Sequence, residues 1–257
     1  MLHLLRLAFC LITFVGVSYG QRAVIVTTDF STGSLSSLDT QTLSPSNDLL
    51  LIHSDAAVRT HGDFVYVLNK LNGDNIIVLQ KDNLATPVTQ YSTGNGSNPH
   101  DIVFASSEKA YVSLYERDYV LIVNPATGDS LGSIDVSAYA DEDGIPEISQ
   151  MAILGDRVFV TAQRLNRDAF FSPTESSLIL VIDTQTDTLI DADADTEGVQ
   201  GIVLAGTNPT SVLQRGTKLI ISTVASFGAQ DGGIEIVDLI SLQMEGQKVS
   251  EESLAGD

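Results

Sequence analysis

HGDFVYVLN (His61–Asn69) reads as a tight turn followed by a strand. Phe64, Tyr66 and Leu68 alternate with Val65 and Val67, so both faces of the strand are apolar. Such a strand packs between two other layers rather than lying on a surface. The same pattern returns as SSEKAYVSL (Ser106–Leu114), LGDRVFVTA (Leu154–Ala162) and RGTKLIIST (Arg215–Thr223), and AVIVTT (Ala23–Thr28) matches it without the turn. Aligned in this way, Ile25, Tyr66, Tyr111, Phe159 and Ile220 share one slot.

A second unit follows each of these: SLSSLDTQT, NIIVLQKDN, YVLIVNPAT, LILVIDTQT and IEIVDLIS. Each is a strand closed by a polar residue, namely Asp39, Gln80, Asn124, Asp183 and Asp238. Asp and Asn suit that place because their side chains bond the amides of the turn that follows. DTQT at Asp39–Thr42 and again at Asp183–Thr186 is therefore one turn met twice. A shorter, more polar strand comes next, as in PVTQYST (Pro87–Thr93) and SLGSIDVS (Ser130–Ser137). One more segment precedes each first unit and often opens with a Pro pair: Asn98-Pro99, Ile145-Pro146 and Asn208-Pro209. The unit is thus four strands in roughly 40 to 60 residues, which is the size and polarity gradient of a propeller blade. The expected fold is an all-β propeller of four-stranded blades with five copies, at about 21–52, 53–95, 96–138, 139–200 and 201–250. The first copy lacks its innermost strand. A β-sandwich would not impose a constant order of strand types five times over. Five blades either close as a small ring or form an open, incomplete one, and SEESLAGD (Ser250–Asp257) reads as the lead-in to a further innermost strand.

The 257 residues carry 33 Asp and Glu against 13 Lys and Arg, a net charge of −20. That charge repels nucleic acid and anionic lipid surfaces. Residues 1–20 read as a cleaved signal peptide, with His3 and Arg6 before the apolar run Leu7–Val17 and Ser18-Tyr19-Gly20 before the cut at Gln21. The run is short for a membrane span, and the bulky Phe9 before Cys10 argues against lipidation there. Cleavage also removes Cys10, the one cysteine, so the core alone must hold the exported chain. The expected location is periplasmic, extracellular or cell-surface. No later segment is long and apolar enough to cross a bilayer.

NPHDIVFASSEKAYVSLYERDYVLIVNPATGDSLGSIDVS (Asn98–Ser137) and GGIEIVDL (Gly232–Leu239) resemble the YncE-like propellers, which are exported bacterial surface-layer or quinoprotein-like repeat proteins. The resemblance rests on the Asn-Pro-His opening, the AYVS strand and the IVNPATGDSLGSI hairpin. It covers most of Ala23–Ser250. It implies a ligand-binding or scaffold propeller without established chemistry and usually with seven blades, so this chain reads as a member truncated at its C-terminal end. Single-stranded DNA binding, a tendency in that group, needs a basic groove lined with aromatics. Quinone-dependent relatives rely on Trp-rich motifs. This chain is acidic and has no Trp.

Loop length locates the expected site. Turns from first to second strand and from third to fourth are short, and the other two connection types carry the extra length on the opposite face. Function belongs on the elaborated face of a rigid scaffold. The binding candidates there are Asn98, His100, Tyr115, Arg117, Arg164, Arg167, Phe170, Phe171 and Asn208. Arg164 and Arg167 either pair with a carboxylate or sugar-acid ligand or neutralise neighbouring acids. Phe170-Phe171 is either an exposed patch or a pin for its own loop. His100, beside the Asn-Pro turn, reads as structural. Asp191, Asp193 and Asp195 alternate as in the start of a calcium loop, although Thr196 and Ile202 stand where an EF-hand needs Gly and Glu. The sequon Asn95-Gly96-Ser97 matters only in a glycosylating pathway. No nucleophile motif, phosphate loop or metal-spaced histidine set is present. The leading expectation is a non-enzymatic module that binds a protein, glycan or small ligand. The alternatives are a metal-dependent, lactonase-like hydrolase and a structural surface-layer component.

Overall fold

The computed structural model describes residues 21–226 and 228–254; the expected signal peptide lies outside them. The first sheet has three antiparallel strands, β1 (Arg22–Thr28), β2 (Gly33–Asp39) and β3 (Pro45–Ile52). The second is β4 (Ala56–His61), β5 (Phe64–Asn69), β6 (Asn75–Gln80) and β7 (Asn83–Ser92). The third is β8 (Pro99–Phe104), β9 (Ala110–Leu114), β10 (Tyr119–Val123) and β11 (Ser130–Asp135). In the fourth, β12 (Ile148–Leu154) and β13 (Arg157–Ala162) are followed by a small hairpin, β14 (Leu165–Asn166) with β15 (Ser172–Pro173). The sheet resumes with β16 (Leu178–Asp183), β17 (Thr188–Ile190) and β18 (Ile202–Val203). The fifth is β19 (Pro209–Arg215), β20 (Lys218–Thr223), β21 (Gly233–Asp238) and β22 (Gln243–Ser250).

These are the blades of a β-propeller. The innermost strands β4, β8, β12 and β19 lie side by side in chain order, and β1 lies next to β4. No closed ring forms among the described residues. Four apolar cores sit between successive blades. Leu35 and Val67 join the first pair, Tyr66 and Val112 the second, Tyr111 and Val160 the third, and Phe159 and Ile221 the fourth. Each core takes one face of a central strand, so the next core takes its other face. That is why those strands carry no polar face. Tyr111 and Phe159 are at most 1% exposed, and burying a side chain of that size contributes about 1.5–3 kcal/mol.

The turns after the third strands follow the chemistry expected of them. Asp39 Oδ1 accepts the N–H groups of Gln41 and Thr42, both at 2.9 Å. Asp183 Oδ1 does so for Gln185 and Thr186, and Asp238 Oδ1 for Ile240 and Ser241.

Three details differ from the sequence reading. In the first blade the shared slot falls on Val24, not Ile25. Arg22 pairs with Asp39 just as Phe64 pairs with Gln80, which places Val24 opposite Tyr66 in the alignment. Ile25 is 40% exposed. AVIVTT has no turn before it to pin the register, and a slip of one residue exchanges the two faces. In the fourth blade the outermost strand is split, because both β17 and β18 pair with β16. The acidic stretch after Ile190 is therefore an excursion within an edge strand. Lastly, Glu251–Leu254 is a helical turn rather than an extended lead-in.

Candidate functional site

Strand direction fixes which loops share a face. Innermost strands run from the long-loop face to the tight-turn face, so the loops after second strands and those between blades meet at one mouth. A repeated backbone bond organises that mouth. The carbonyls of Asp55, Asn98, Glu147 and Asn208 accept the N–H groups of Lys70, Tyr115, Gln163 and Val224 at 2.9, 3.0, 3.3 and 3.1 Å. Each acceptor stands one residue before an innermost strand. Asn98, Glu147 and Asn208 adopt left-handed backbone, at φ 51°, 45° and 54°. Asn tolerates that conformation better than most residues. The expected Ile145-Pro146 opening lies two residues upstream of this place, and Glu147 occupies it instead.

Glu147 is fully buried. Its Oε2 accepts the Leu165 N–H at 2.9 Å, and its Oε1 accepts the Arg167 Nε–H at 3.0 Å. Arg167 comes from the short 3-10 turn of the extra hairpin, where Asn166 Oδ1 accepts the Ala169 N–H. Its guanidinium also bonds Glu116, lies 3.4 Å from Asp143 and donates to the Tyr115 carbonyl at 3.3 Å. It faces the rings of Tyr115 at 5.9 Å and Phe171 at 5.8 Å. Tyr115 in turn stacks on His100 with centroids 4.2 Å apart, and His100 Nδ1 meets Ser149 Oγ at 2.9 Å.

Three carboxylates thus surround one guanidinium in a mostly dry setting. Burial raises the Glu147 carboxyl to about 7, against the lowering pull of the Leu165 amide and Arg167. Burial likewise lowers His100 to about 3, helped by the charge of Lys70, so the ring is neutral. It pushes the Tyr115 hydroxyl upward as well.

Of the sequence candidates, His100, Tyr115, Arg167 and Phe171 converge in this cluster. Asn98 and Asn208 do not join it. Asn98 Oδ1 accepts the Leu71 N–H at 3.0 Å, and Asn208 Oδ1 accepts Gln163 Nε2 at 3.0 Å, so each links its blade to the preceding one. Arg117 donates to the carbonyls of Glu116 and Asn95 at 2.8 and 2.5 Å. Arg164 bonds Glu175 and the Ser176 carbonyl. Phe170 is 97% exposed and pins nothing. Asp191, Asp193 and Asp195 are not brought together around a common point. Asp191 Oδ1 accepts the Asp193 and Gln200 N–H groups, and Asp193 bonds Asp195 N–H and Thr196. Among the described residues, no group of three His, Cys, Asp or Glu is placed to hold a metal ion.

Glu116, Asp143, Glu147 and Ser149 escaped the sequence reading. Acids are too frequent in this chain for any one to stand out. The repeat register marks Glu147 only once its strand partner is known.

A second feature lies at the tight-turn end. A cavity of about 420 Å³ opens between the innermost strands, lined by Arg59, His61, Phe104, Met151 and Leu213. Above it, fully buried Asp101 joins three blades, pairing with Arg59 at 2.7 Å and accepting the Met151 N–H at 2.9 Å.

No family profile and no curated protein sequence matches the chain. Solved propellers do match its fold. A protein from Lactobacillus plantarum aligns with a TM-score of 0.60 at 12% identity, over 90% of this chain and 68% of its own. A proposed 6-phosphogluconolactonase from Bacteroides uniformis aligns with 0.57 at 11%, over 89% and 67%. The WD40 propeller domain of Doa1 aligns with 0.56 at 8%, over 86% and 62%. The chain thus spans about two thirds of the length of these structures. At such identities the likeness defines the class, a β-propeller, and nothing narrower.

Proposed function

We propose that this chain is an exported propeller of the YncE-like kind that serves as a binding or scaffold module through its long-loop face. One observation carries this reading. The only hairpin added between two blade strands among the described residues, β14–β15, is anchored by Arg167 into the cluster at that mouth and leaves Phe170 in solvent. A rigid anchor under an exposed apolar tip is what a binding loop needs. The lactonase-like alternative would require side chains converging on a metal or substrate. Asn98 Oδ1, His100 Nδ1 and Asn208 Oδ1 are each engaged by a different protein partner instead. The testing experiment is a thermal-shift and biosensor screen of the purified chain against glycans, peptides and sugar lactones, with Phe170→Ser as control. Ligands that bind the parent chain and lose affinity for Phe170→Ser support the reading. Turnover of a sugar lactone dependent on added divalent metal would replace it with the enzyme.

A further inference from the structure

Among the described residues, the free edge of β1 is both open and regular. β1 pairs with β2 along its whole length, from Arg22 opposite Asp39 to Thr28 opposite Gly33, with no shift of register. The Thr40 N–H bonds the Gln21 carbonyl at 2.9 Å, and the Asp29 N–H bonds the Thr32 carbonyl at 3.1 Å. Bonded and non-bonded pairs alternate along an antiparallel ladder. Gln21, Ala23, Ile25 and Thr27 therefore turn their backbone groups to β2. Arg22, Val24, Val26 and Thr28 turn theirs to the other edge, where no described strand pairs. Such a row of free donors and acceptors is a template for another strand. The outermost edges are blunted by comparison. Register shifts interrupt the ladders that join β3, β7, β11 and β22 to their sheets, and the edge of the fourth blade is split between β17 and β18. The innermost strands β4, β8, β12 and β19 face one another across the cavity already described.

The space beside β1 is shaped for a strand. Arg22 holds the place in its blade that Phe64 holds in the second, so β1 corresponds to β5. β5 has β4 on that side, and β9, β13 and β20 have β8, β12 and β19. β1 lies against β4 as β5 lies against β8, so the first blade has not moved inward to close the gap. Two cavities open along it. One of about 480 Å³ is lined by Arg22, Val24, Thr60 and Phe64, and one of about 130 Å³ by Val26, Thr28 and Ala56. In the second blade, Ala57 of β4 packs against the core shared with the third blade, and His61 stacks on Phe104 of that blade. The matching side chains of an added strand would turn to the second blade, a small one at the Val26 end and larger ones at the Arg22 end.

We infer that the open edge of β1 takes up one extended polypeptide strand from another molecule. The strand runs antiparallel to β1, in the place that β4, β8, β12 and β19 hold in their own blades. Its backbone exchanges hydrogen bonds with Arg22, Val24, Val26 and Thr28, and its alternate side chains enter the two cavities. In recognition by strand addition, main-chain bonds give affinity and alternate pockets give selectivity. Every described strand is already paired within its own sheet, which leaves the donor to a second polypeptide. This site is distinct from the long-loop mouth, and failure at one leaves the other untouched.

The test uses the purified full chain and a synthetic peptide copying Ser54–His61 (SDAAVRTH), which β1 would meet as β5 meets β4. Binding is read by fluorescence polarisation and by residue-resolved amide hydrogen exchange. The peptide should protect the amides of Arg22, Val24, Val26 and Thr28 and leave those of Ala23, Ile25 and Thr27 unchanged. N-methyl groups at the peptide positions copying Ala57 and Arg59 would face β1, and should weaken binding roughly tenfold or more through two lost backbone bonds. At the positions copying Ala56 and Val58 they would face away, and binding should hardly change. Equal loss from the two pairs, or protection without the alternation along β1, overturns the inference. Absence of peptide binding also overturns it. If the four edge amides are already as protected as their neighbours before peptide is added, the chain fills its own edge, and a donor from another molecule is wrong.

Discussion

Glu147 and His100 sit in one cluster, and burial moves both toward their neutral forms. Their consequences for stability run in opposite directions with pH. Glu147 has an ordinary value of 4.5 and stands near 7 in the fold. The native state therefore holds its proton more tightly than the unfolded chain does. The stability this contributes is complete below about 4.5 and is lost as pH rises through about 7. His100 falls from 6.5 to about 3, so its contribution is complete above 6.5 and is lost as pH falls toward 3. Between 4.5 and 6.5 the two slopes oppose each other, and just above 6.5 only the Glu147 slope remains. The unfolding midpoint should drop between pH 6.5 and 8, and Glu147→Gln, which keeps an acceptor for the Leu165 N–H, should flatten that drop. An unchanged slope in this variant would assign the pH dependence elsewhere. Asp101 is another buried acid, paired with Arg59. Asp101→Ala strips the acceptor from the buried Met151 N–H and frees Arg59. Arg59 is 40% exposed and can be solvated, so the cost should fall at roughly 2–4 kcal/mol in urea unfolding, near the lower end for breaking a buried pair.

At the scale of the element, the turn after the third strand is the most legible device in the chain. Asp39, Asp183 and Asp238 were readable as turn-formers because one side-chain oxygen reaching two amides is a local interaction. Asp183→Ala removes two such bonds at an exposed turn and should cost about 1 kcal/mol, comparable to the loss of a helix cap. Asp183→Asn, which keeps the acceptor, should cost less. Equal losses in the two variants would mean that charge, not turn geometry, matters there. The first blade shows where local reading fails. AVIVTT is apolar in either register, and only pairing with β2 and packing against the second blade choose Val24 over Ile25 for the shared slot. The hairpin β14–β15 is a similar case. Its length was visible, but the destination of Arg167 was not, because Glu116 and Glu147 come from other segments of the chain.

On the scale of the whole molecule, the blades form an open arc, and stability should not be uniform along it. The cores between the second and fifth blades are drawn from four-stranded sheets or larger. The first sheet has three strands and only one core, shared with the second. Amide hydrogen exchange should therefore be fastest in β1–β3 and slowest in β5, β9, β13 and β16, whose residues are almost all buried. Uniform protection across all blades would show that the arc opens only as one unit. The repeated order of strand types and loop length announced a propeller and its elaborated face. They did not announce which acids would gather around Arg167, because that depends on which loops the strand directions bring together.

The sequence by itself determined the repeat, the order of strand types, the turn chemistry and the face with the long loops. All of these follow from interactions within a few residues, or from periodicity that any copy displays. Tertiary structure alone decided the register of the first blade, the place of Glu147, the pairing of Arg164 and Arg167 with acids, and the exposure of Phe170. These depend on contacts between segments far apart in the chain, where burial and charge are set by neighbours that the sequence does not list side by side.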